Sequence, residues 1–302
     1  MHLILLGSAA GGGFPQWNCW CPTCRVARAE PARARPRTQS SLAISADGTH
    51  WFLCNASPDV REQLARLPGA PPDAMRYVPV DGVITTDAEL DHTLGLALLR
   101  EARALDLYAT RAVHETLECD SRLLPVTRAF ADITVRELPL DGCIELRARD
   151  GRATGLVVEP FAVPGDAPRF AQRERPGHTV GLTIRDGATG GSCAFVPGCG
   201  ALDDALLDRL ARTDVVLFDG TFFTDDEMTG LGLSDRTARA MGHVPISGAD
   251  GTLTRLAELP CREKVYTHIN NTNPMLIDDS PQRAIVEGAG VKVGSDGMRF
   301  EV

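Results

Sequence analysis

The sequence predicts an α/β domain in which two sheets, with mostly antiparallel to mixed strand pairing, are sandwiched between helices. Short β-like runs recur along the whole chain of 302 residues, and helical patterns lie between several of them. No linker or low-complexity stretch divides the chain, so we expect one domain over residues 1–302. Hydrophobic residues make up 43% of the sequence, which is enough for a protein of this length to bury a sizeable core.

The local patterns place the elements as follows. Ten apolar runs are typical of strands, at residues 2–6, 41–45, 51–55, 82–86, 105–109, 155–163, 180–184, 193–197, 214–220 and 264–269. Helical spacing of apolar residues covers 92–105, 201–210 and 248–259. A further helix is predicted to begin at Ser57 as its N-cap, with Pro58 in the first helical position.

Charge and hydropathy exclude several classes of partner. The formal net charge of −9 argues against a nucleic-acid-binding protein, because phosphate recognition needs a clustered basic surface. No apolar run approaches the roughly 18 residues of a membrane span. The opening MHLILLG lacks the basic flank and cleavage pattern of a signal peptide. We therefore expect a cytoplasmic protein with no membrane partner.

The glycine-rich segment 7–16, GSAAGGGFPQ, lacks the Gly-x-Gly-x-x-Gly spacing of a dinucleotide-binding loop, and no helical pattern follows it. We interpret it as an irregular loop whose backbone passes close to a functional site.

Three of the nine cysteines form a Cys-x-Cys-x-x-Cys motif, Cys19, Cys21 and Cys24, within a loop at about residues 18–25. Thiolates at this spacing can converge on a tetrahedral Zn²⁺ that takes one further ligand from elsewhere. A chance run of buried cysteines is the alternative, and the intervening Trp20 and Pro22 favour the zinc knuckle. Such a closed site would be structural. We interpret the other six cysteines as small core residues.

A second cluster lies in ITTDAELDHTLGL, residues 84–96, where a predicted strand gives way to a predicted helix. Asp87, Glu89, Asp91 and His92 fall within six positions, and a strand-to-helix turn is a common place for a functional site. Considered alone, this stretch favours a solvated acidic turn, with Asp91 as a helix N-cap and His92 exposed, because helix caps are common and metal sites are rare.

His268 offers a partner for this turn from the other end of the chain, because it ends the strand-like run KVYTHI. Together with Asp91 and His92 it would supply two imidazoles and one carboxylate. That donor set is the facial triad of non-haem Fe(II) oxygenases.

The motifs themselves resemble known ones. TDAELDHTLGL is similar to the metallo-β-lactamase superfamily motif Thr-His-x-His-x-Asp-His-x-x-Gly. Other segments extend the likeness over nearly the whole chain, namely LGSAAGGGFPQWNCWCPTC, NASPDVREQL, FVPGCGALDD, FDGTFF, MGHVPISG and THINNTNPML. In combination they resemble the family of pyrroloquinoline quinone (PQQ) biosynthesis protein B.

This resemblance implies a metallo-β-lactamase-like αββα sandwich. It implies a structural Zn²⁺ on the cysteine loop, associated in this family with a homodimer, and an active-site metal at Asp91, His92 and His268, expected to be Fe(II). The implied activity is the iron- and O₂-dependent hydroxylation of the tyrosine ring in a cross-linked Glu–Tyr diamino acid, a small-molecule precursor of PQQ. Two alternatives stay open: a non-catalytic carrier of PQQ or a precursor out of the cytoplasm, and a residual metal-dependent hydrolase.

The chain departs from the superfamily pattern at the first metal site. Asp87 and Glu89 replace two of its histidines, no histidine stands near 161–166, and Cys199 takes the place of the bridging aspartate. A conventional dinuclear zinc hydrolase is therefore not expected. Asp87 and Glu89 are either additional metal ligands or groups that orient the ligands, with simple solvation as the alternative.

The resemblance also raises a question about the zinc knuckle. Related phosphodiesterases carry a histidine three residues after the counterpart of His268, and here that position is Asn271. Asn271, Asn273 or a water molecule would complete the zinc site.

Three further polar residues are candidates for the site. We predict that His243 faces the cleft and serves in substrate binding or proton transfer. His178 is either a substrate contact or acid–base group, or a surface-loop histidine. Asp219 ends a buried strand, where it would either support His268 or cap the chain.

Overall fold

Two seven-stranded mixed sheets form the centre of the structure, a computed structural model that describes residues 1–302. The first sheet has the strand order β14 (Met298–Glu301), β1 (His2–Gly7), β2 (Ser41–Ser45), β3 (Phe52–Cys54), β4 (Gly82–Ile84), β5 (Ala104–Ala109) and β6 (Asp132–Glu137). The second has the order β13 (Lys292–Val293), β12 (Glu263–Thr267), β11 (Val215–Asp219), β10 (Ser192–Val196), β9 (Val180–Asp186), β8 (Ala153–Ala162) and β7 (Ile144–Arg147).

The two sheets share one pairing scheme. In the first, the pairs from β14 to β3 are antiparallel and those from β3 to β6 are parallel. In the second, the pairs from β13 to β10 are parallel and those from β10 to β7 are antiparallel. Both sheets are therefore mixed, as the sequence predicted.

Ten α-helices accompany the sheets. They are α1 (Pro22–Ala29), α2 (Val60–Leu64), α3 (Leu90–Thr93), α4 (Gly95–Leu98), α5 (Arg111–Glu115), α6 (Leu123–Arg128), α7 (Asp204–Leu210), α8 (Glu227–Gly230), α9 (Thr252–Ala257) and α10 (Pro281–Gly288). Short 3₁₀ turns occupy Leu99–Ala102, Arg239–Met241 and Pro274–Leu276, and a π-helical turn occupies Thr116–Asp120. The longest helices have eight residues, and no helix combines the length and apolar character needed to cross a membrane.

Three apolar layers hold the elements together. The middle layer lies between the sheets and includes Phe52 and Tyr108 of the first sheet and Phe195 of the second. One outer layer packs the second sheet against α1, α7, α9 and α10, and the other packs the first sheet against α2, α4, α5 and α6. This arrangement is the predicted αββα sandwich. The strands β10 and β11 are buried along their whole length, which explains their continuous apolar sequences.

All ten predicted strands are present, and the four that the sequence pattern missed are the four edge strands, β6, β7, β13 and β14. Their sequences are short or mix charged with apolar residues, as in DITVRE of β6 and MRFE of β14. Charged side chains are tolerated at a sheet edge, where they discourage pairing with other chains. Edge strands therefore give a weak apolar signal.

Two helix predictions need correction. The helix predicted over 92–105 begins at Leu90, breaks at Leu94 and ends at Ala102, because Arg103 takes a left-handed conformation with φ 61°. The helix predicted to begin at Ser57 starts instead at Val60, since Ser57 Oγ accepts a hydrogen bond from the Asp59 amide and closes the preceding turn. The segments predicted at 201–210 and 248–259 contain the shorter helices α7 and α9.

The interpretation of the six scattered cysteines as core residues is right for four of them and wrong for two. Cys54, Cys193, Cys199 and Cys261 are buried. Cys119 and Cys143 are exposed, because the first lies in the π-helical turn and the second in the turn that precedes β7.

Position 95 requires glycine because α4 packs very closely against the segment after β3. A Cβ at this position would lie 2.2 Å from the Ser57 carbonyl oxygen and 2.6 Å from that of Ala56, and both are backbone atoms that cannot rotate away. Glycine at 95 therefore lets the first helices after the acidic turn pack onto the sheet.

We expect Gly95→Ala to lower the free energy of unfolding by about 1–3 kcal/mol, the usual cost of overpacking. Gly288→Ala is the matched control, since a Cβ on this helical glycine meets no atom within 4 Å. It should leave stability unchanged or raise it by about 0.5–1 kcal/mol. Urea unfolding of both variants measures the difference, and equal midpoints would contradict the packing argument.

Candidate metal centre

The carboxyl ends of strands in both sheets meet around one cavity. Asp87 and Asp91 follow β4, Asp219 ends β11, and His268 follows β12 directly. Loops at this edge are carried by a rigid scaffold, which is the usual location of a site in α/β proteins. The site therefore combines residues from the two sheets.

Asp91, His92 and His268 converge as the sequence suggested. Asp91 Oδ2 lies 3.4 Å from His268 Nε2 and 3.8 Å from His92 Nε2, and all three ligand atoms lie within 4.8 Å of one another. His92 and His268 are buried, so the alternative of a solvated acidic turn is wrong. Asp91 lies inside α3 and does not cap it; the N-cap position belongs to Glu89.

Asp87 fixes the orientation of His92. Both carboxylate oxygens of the buried Asp87 lie within 2.8 Å of His92 Nδ1, which donates to them. This contact leaves Nε2 as the nitrogen that faces Asp91 and His268. Asp87 is thus a group that orients a ligand, one of the two roles predicted for it, and neither oxygen is directed away from the imidazole toward a separate metal.

Asn55 and Thr86 hold Asp87 in turn. The Thr86 hydroxyl donates to Asp87 Oδ2 at 2.8 Å, and the Thr86 amide donates to Asn55 Oδ1 at 3.0 Å. Asn55 adopts a left-handed conformation with φ 67° at the end of β3. The chain of contacts from Asn55 to His92 connects two adjacent parallel strands, β3 and β4, to the imidazole.

His268 is held from the second sheet through Thr221. His268 Nδ1 donates to Thr221 Oγ1 at 2.8 Å, and that hydroxyl donates to Asp219 Oδ1 at 2.6 Å. The backbone of His268 is left-handed, with φ 54°, a conformation that costs a non-glycine residue about 1–3 kcal/mol and is concentrated at functional sites. Asp219 therefore supports His268, as one of its two predicted roles required, and it acts through a hydroxyl that the sequence did not reveal.

His243 lies beside His268 and shares its carboxylate. Its Nδ1 donates to Asp219 Oδ2 at 2.6 Å, and its ring stacks on that of His268 with centroids 5.5 Å apart. His243 also lines the cavity, as predicted, with Nε2 remaining for a ligand or a proton. Burial disfavours its charged form, but Asp219 outweighs this effect and raises the pKa of His243.

The electrostatics of the cluster favour positive charge. Burial by itself would lower the pKa of His92, yet Asp87 and Asp91 raise it to about 9. Burial would raise the pKa of Asp91, yet His92 and His268 hold it below its ordinary value. Desolvation at the cavity wall and the charges of Asp87 and Asp91 raise the pKa of Glu89 to about 7, although part of this side chain is exposed to solvent. The raised pKa values of His92 and Glu89 indicate a pocket with an excess of carboxylate charge.

The donor set fits a divalent cation. His92 Nε2 is buried and has no hydrogen-bond partner, which is rare for a polar atom unless a group outside the protein satisfies it. It points to the place where Asp91 Oδ2 and His268 Nε2 also meet. Two imidazole nitrogens and a carboxylate oxygen suit iron, zinc and related divalent ions.

The cavity above this cluster has a volume of about 330 Å³. Its remaining walls come from two loops, the β8–β9 loop and the loop that follows β11, together with Gly198 and the exposed Glu89. The glycine-rich loop approaches from below, because a Cβ on Gly11 would lie 3.2 Å from Asp91 Oδ2. The prediction that this loop passes close to a site is confirmed.

Two sequence candidates lie outside this cavity. His178 is buried, donates from Nε2 to the Arg173 carbonyl at 2.8 Å, and lines a neighbouring cavity. The structure therefore does not bring it to the metal cluster, and it is not a surface histidine either. Cys199 is buried and its thiol donates to the Ala201 carbonyl at 3.0 Å, so it does not face the cluster.

The cysteine motif forms a second candidate metal site. The sulfur atoms of Cys19, Cys21 and Cys24 lie within 4.8 Å of one another in the loop that leads into α1. The Cys24 thiol stabilises the Cys21 thiolate by a hydrogen bond and lowers the pKa of Cys21. Three converging sulfurs with a thiolate among them suit Zn²⁺.

Asn271 is the amide nearest to this site. Its side-chain amide lies 3.3 Å from Cys24 Sγ and 3.6 Å from Cys21 Sγ. Asn273, the other candidate, is used elsewhere, since its amide donates to the Gly220 carbonyl and its Oδ1 accepts from the Met275 amide. Asn271 and a water molecule therefore remain the two candidates for the fourth ligand. The loop from His268 to Asn273 joins the zinc knuckle to the metal centre.

Comparisons with known proteins agree with the fold. The model of the β-lactamase superfamily domain matches residues 50–269. The crystal structure of a diphosphatase from the PhnP family shares the fold, with a TM-score of 0.69 at 20% identity over 100% of this chain and 97% of that one. The αββα sandwich with its metal-ligand cluster thus defines a protein of the metallo-β-lactamase superfamily.

More similar relatives narrow the assignment. The chain is 44% identical to coenzyme PQQ synthesis protein B of Gluconacetobacter diazotrophicus over 99% of both chains, and 43% identical to that of Methylobacterium radiotolerans over 100% of both. The crystal structure of Zn²⁺-bound PqqB from Methylobacterium extorquens matches with a TM-score of 0.89 and 38% identity over 100% of both chains. This chain belongs to the family of coenzyme PQQ synthesis protein B.

Removal of the Asp87 carboxylate should weaken metal binding at the centre. We expect Asp87→Ala to lower the affinity for a divalent cation about 10–100-fold, because His92 loses the contact that fixes its orientation. Competition with a chromophoric chelator measures this affinity on protein whose knuckle is already loaded with zinc. Asp208→Ala, a change on the exposed surface of α7, is the control. Equal affinities of the two variants would show that Asp87 does not support the metal site.

Proposed function

We propose that this chain acts in PQQ biosynthesis by hydroxylating the tyrosine ring of a cross-linked Glu–Tyr diamino acid, with Fe(II) and O₂. Membership of the family of coenzyme PQQ synthesis protein B supports the place in PQQ biosynthesis. The single observation that best supports the proposed reaction is the convergence of two imidazoles and one carboxylate at the floor of a cavity. This donor set leaves coordination positions open in non-haem Fe(II) oxygenases.

Asp91, His92 and His268 would hold the iron. When bound, Fe(II) would supply the redox chemistry with O₂ that no side chain of the protein provides. The reaction places one atom of O₂ on an aromatic carbon in place of hydrogen. The second atom leaves as water and takes up two electrons from an external reductant.

The protein's own groups would orient the reactants and move protons. Asp87 and Thr221 fix the rings of His92 and His268, so that both Nε2 atoms face the cavity. His243 is held by Asp219 and has a second nitrogen available, so it is suited to exchange a proton with the substrate. The loss of the superfamily's first metal site argues against hydrolysis by a pair of metals.

Anaerobic reconstitution tests this function. Protein loaded with Fe(II) is mixed with the diamino acid and ascorbate, and O₂ is then admitted. We expect a product heavier by one oxygen atom, detected by mass spectrometry, with the label of ¹⁸O₂ incorporated. Asp91→Ala and His268→Ala should abolish the product, because each removes a ligand, while Asp208→Ala should retain it.

Absence of product from the iron-loaded protein, or unchanged turnover in both ligand variants, would contradict the hydroxylase. Tight binding of PQQ without turnover would favour the carrier instead.

We also propose that the cysteine loop binds Zn²⁺ and that a second copy of the chain docks beside it. Trp17 and Trp20 are 83% and 62% exposed, and Leu231 and Leu233 lie with Trp20 around one shallow cavity. A contiguous exposed apolar patch of this kind is typical of an interaction surface. Arg28 secures the loop from within, since its guanidinium donates to the Cys19 and Gln16 carbonyls and stacks on Trp20.

Two variants separate zinc binding from dimer formation. Cys24→Ser should remove one zinc per chain and shift the protein to monomer, whereas Trp20→Glu should retain the zinc and still shift it to monomer. Phe130→Glu, a change at a distant exposed aromatic, should alter neither property. Elemental analysis and sedimentation velocity measure the two quantities. A Trp20→Glu protein that remains dimeric would exclude this surface as the interface.

A further inference from the structure

Four ionisable side chains line the central cavity without a partner of opposite charge in the protein. Arg169 and Arg236 form no salt bridge, and neither do Glu89 and Asp166. Arg236 donates to the Ala240 carbonyl of its own loop, which uses only part of its five N–H donors. The two arginines are the only Arg or Lys residues among those that line the cavity.

The adjacent cavity shows that pairing is otherwise available. There Arg111 lies 3.0 Å from Glu115, and Arg175 contacts the same carboxylate. Elsewhere Arg209 pairs with Glu159 at 2.7 Å. Arg173 of the adjacent cavity also lacks a salt bridge, so what distinguishes Arg169 and Arg236 is their position in the wall of the central cavity, above the metal-ligand cluster.

The two arginines belong to different walls. Arg169 lies in the loop between β8 and β9, and Arg236 lies in the loop that follows β11 and also carries His243. A ligand above the metal centre would thus meet guanidinium groups on two walls.

The two arginines offset part of the negative charge of the carboxylates that line the cavity. Asp87, Glu89, Asp91 and Asp166 give the cavity an excess of carboxylates, which would repel a ligand that carries carboxylates of its own. A planar guanidinium binds a carboxylate through two parallel hydrogen bonds and can offset this repulsion. The unpaired Glu89 and Asp166 would in turn attract ammonium groups.

We infer that Arg169 and Arg236 bind the carboxylates of a zwitterionic amino-acid substrate, and that Glu89 and Asp166 receive its ammonium groups. The identity of that amino acid, the Glu–Tyr diamino acid, rests on the proposed function. The arginines are positioning residues, which place the aromatic ring over Asp91, His92 and His268.

Binding without turnover tests the inference. Isothermal titration of the diamino acid into Zn²⁺-loaded protein should show Kd raised about 10–100-fold by Arg169→Ala and by Arg236→Ala, the usual cost of losing a charge-assisted hydrogen bond. Arg169→Lys and Arg236→Lys should recover part of the affinity. Arg212→Ala is the matched control, because Arg212 is an exposed arginine without a salt bridge that precedes β11, at the opposite end from Asp219.

Methyl esters of the ligand distinguish direct contact from a structural effect. Esterification of the carboxylate that an arginine binds should raise the Kd of the unsubstituted protein by the same factor as replacing that arginine with alanine. In the alanine variant, the ester and the free ligand should have nearly equal Kd values. The inference would be overturned if esterification raised Kd in both alanine variants as much as in the unsubstituted protein. Equal Kd values for Arg169→Ala, Arg236→Ala and Arg212→Ala would also overturn it.

The two proposals fail in different ways. If the zinc-loaded protein binds the diamino acid through both arginines while the iron-loaded protein forms no product, the hydroxylase fails and the binding site stands. If product forms and KM is unchanged in both arginine variants, the hydroxylase stands and the binding site is overturned. Absence of any binding by the unsubstituted protein also overturns the binding site.

Discussion

Two buried carboxylates determine the geometry of the metal centre. Asp87 holds Nδ1 of His92 directly, and Asp219 holds Nδ1 of His268 through the Thr221 hydroxyl. An imidazole has two chemically similar nitrogens, and a hydrogen bond to one of them decides which is presented as a ligand. Without these contacts, neither imidazole ring would be held with its Nε2 atom facing Asp91.

The sandwich makes this arrangement possible because each sheet contributes one half. The first sheet supplies Asp91 and His92 after β4, and the second supplies His268 after β12. Close approaches of backbone, at Gly11 and Gly95, bring the loops near enough to the cluster. The ring of His268, whose backbone is left-handed, is oriented by its hydrogen bond to the Thr221 hydroxyl. Strain at the site is thus offset by buried hydrogen bonds around it.

The departures from the superfamily pattern acquire a physical meaning in the structure. Asp87 stands where the motif has a histidine ligand, and its oxygens are committed to His92. Cys199 stands where a bridging aspartate is expected, and its thiol turns to a backbone carbonyl. What remains is one compact donor set with a charged cavity above it. This arrangement suits a single divalent cation better than a hydrolytic pair of metals.

The sequence by itself determined the ten inner strands, since strands buried on both faces are written as continuous apolar runs. It also identified Asp91, His92, His268 and the three cysteines, because adjacent or regularly spaced ligands leave a local pattern. The four edge strands, the contacts of Asn55 and Thr221, and the positions of Arg169 and Arg236 in the cavity wall were decided only by the tertiary structure. These residues act through partners that are distant in the chain. The sequence around an isolated polar residue in a loop does not indicate which residues it will contact once the sheets have packed.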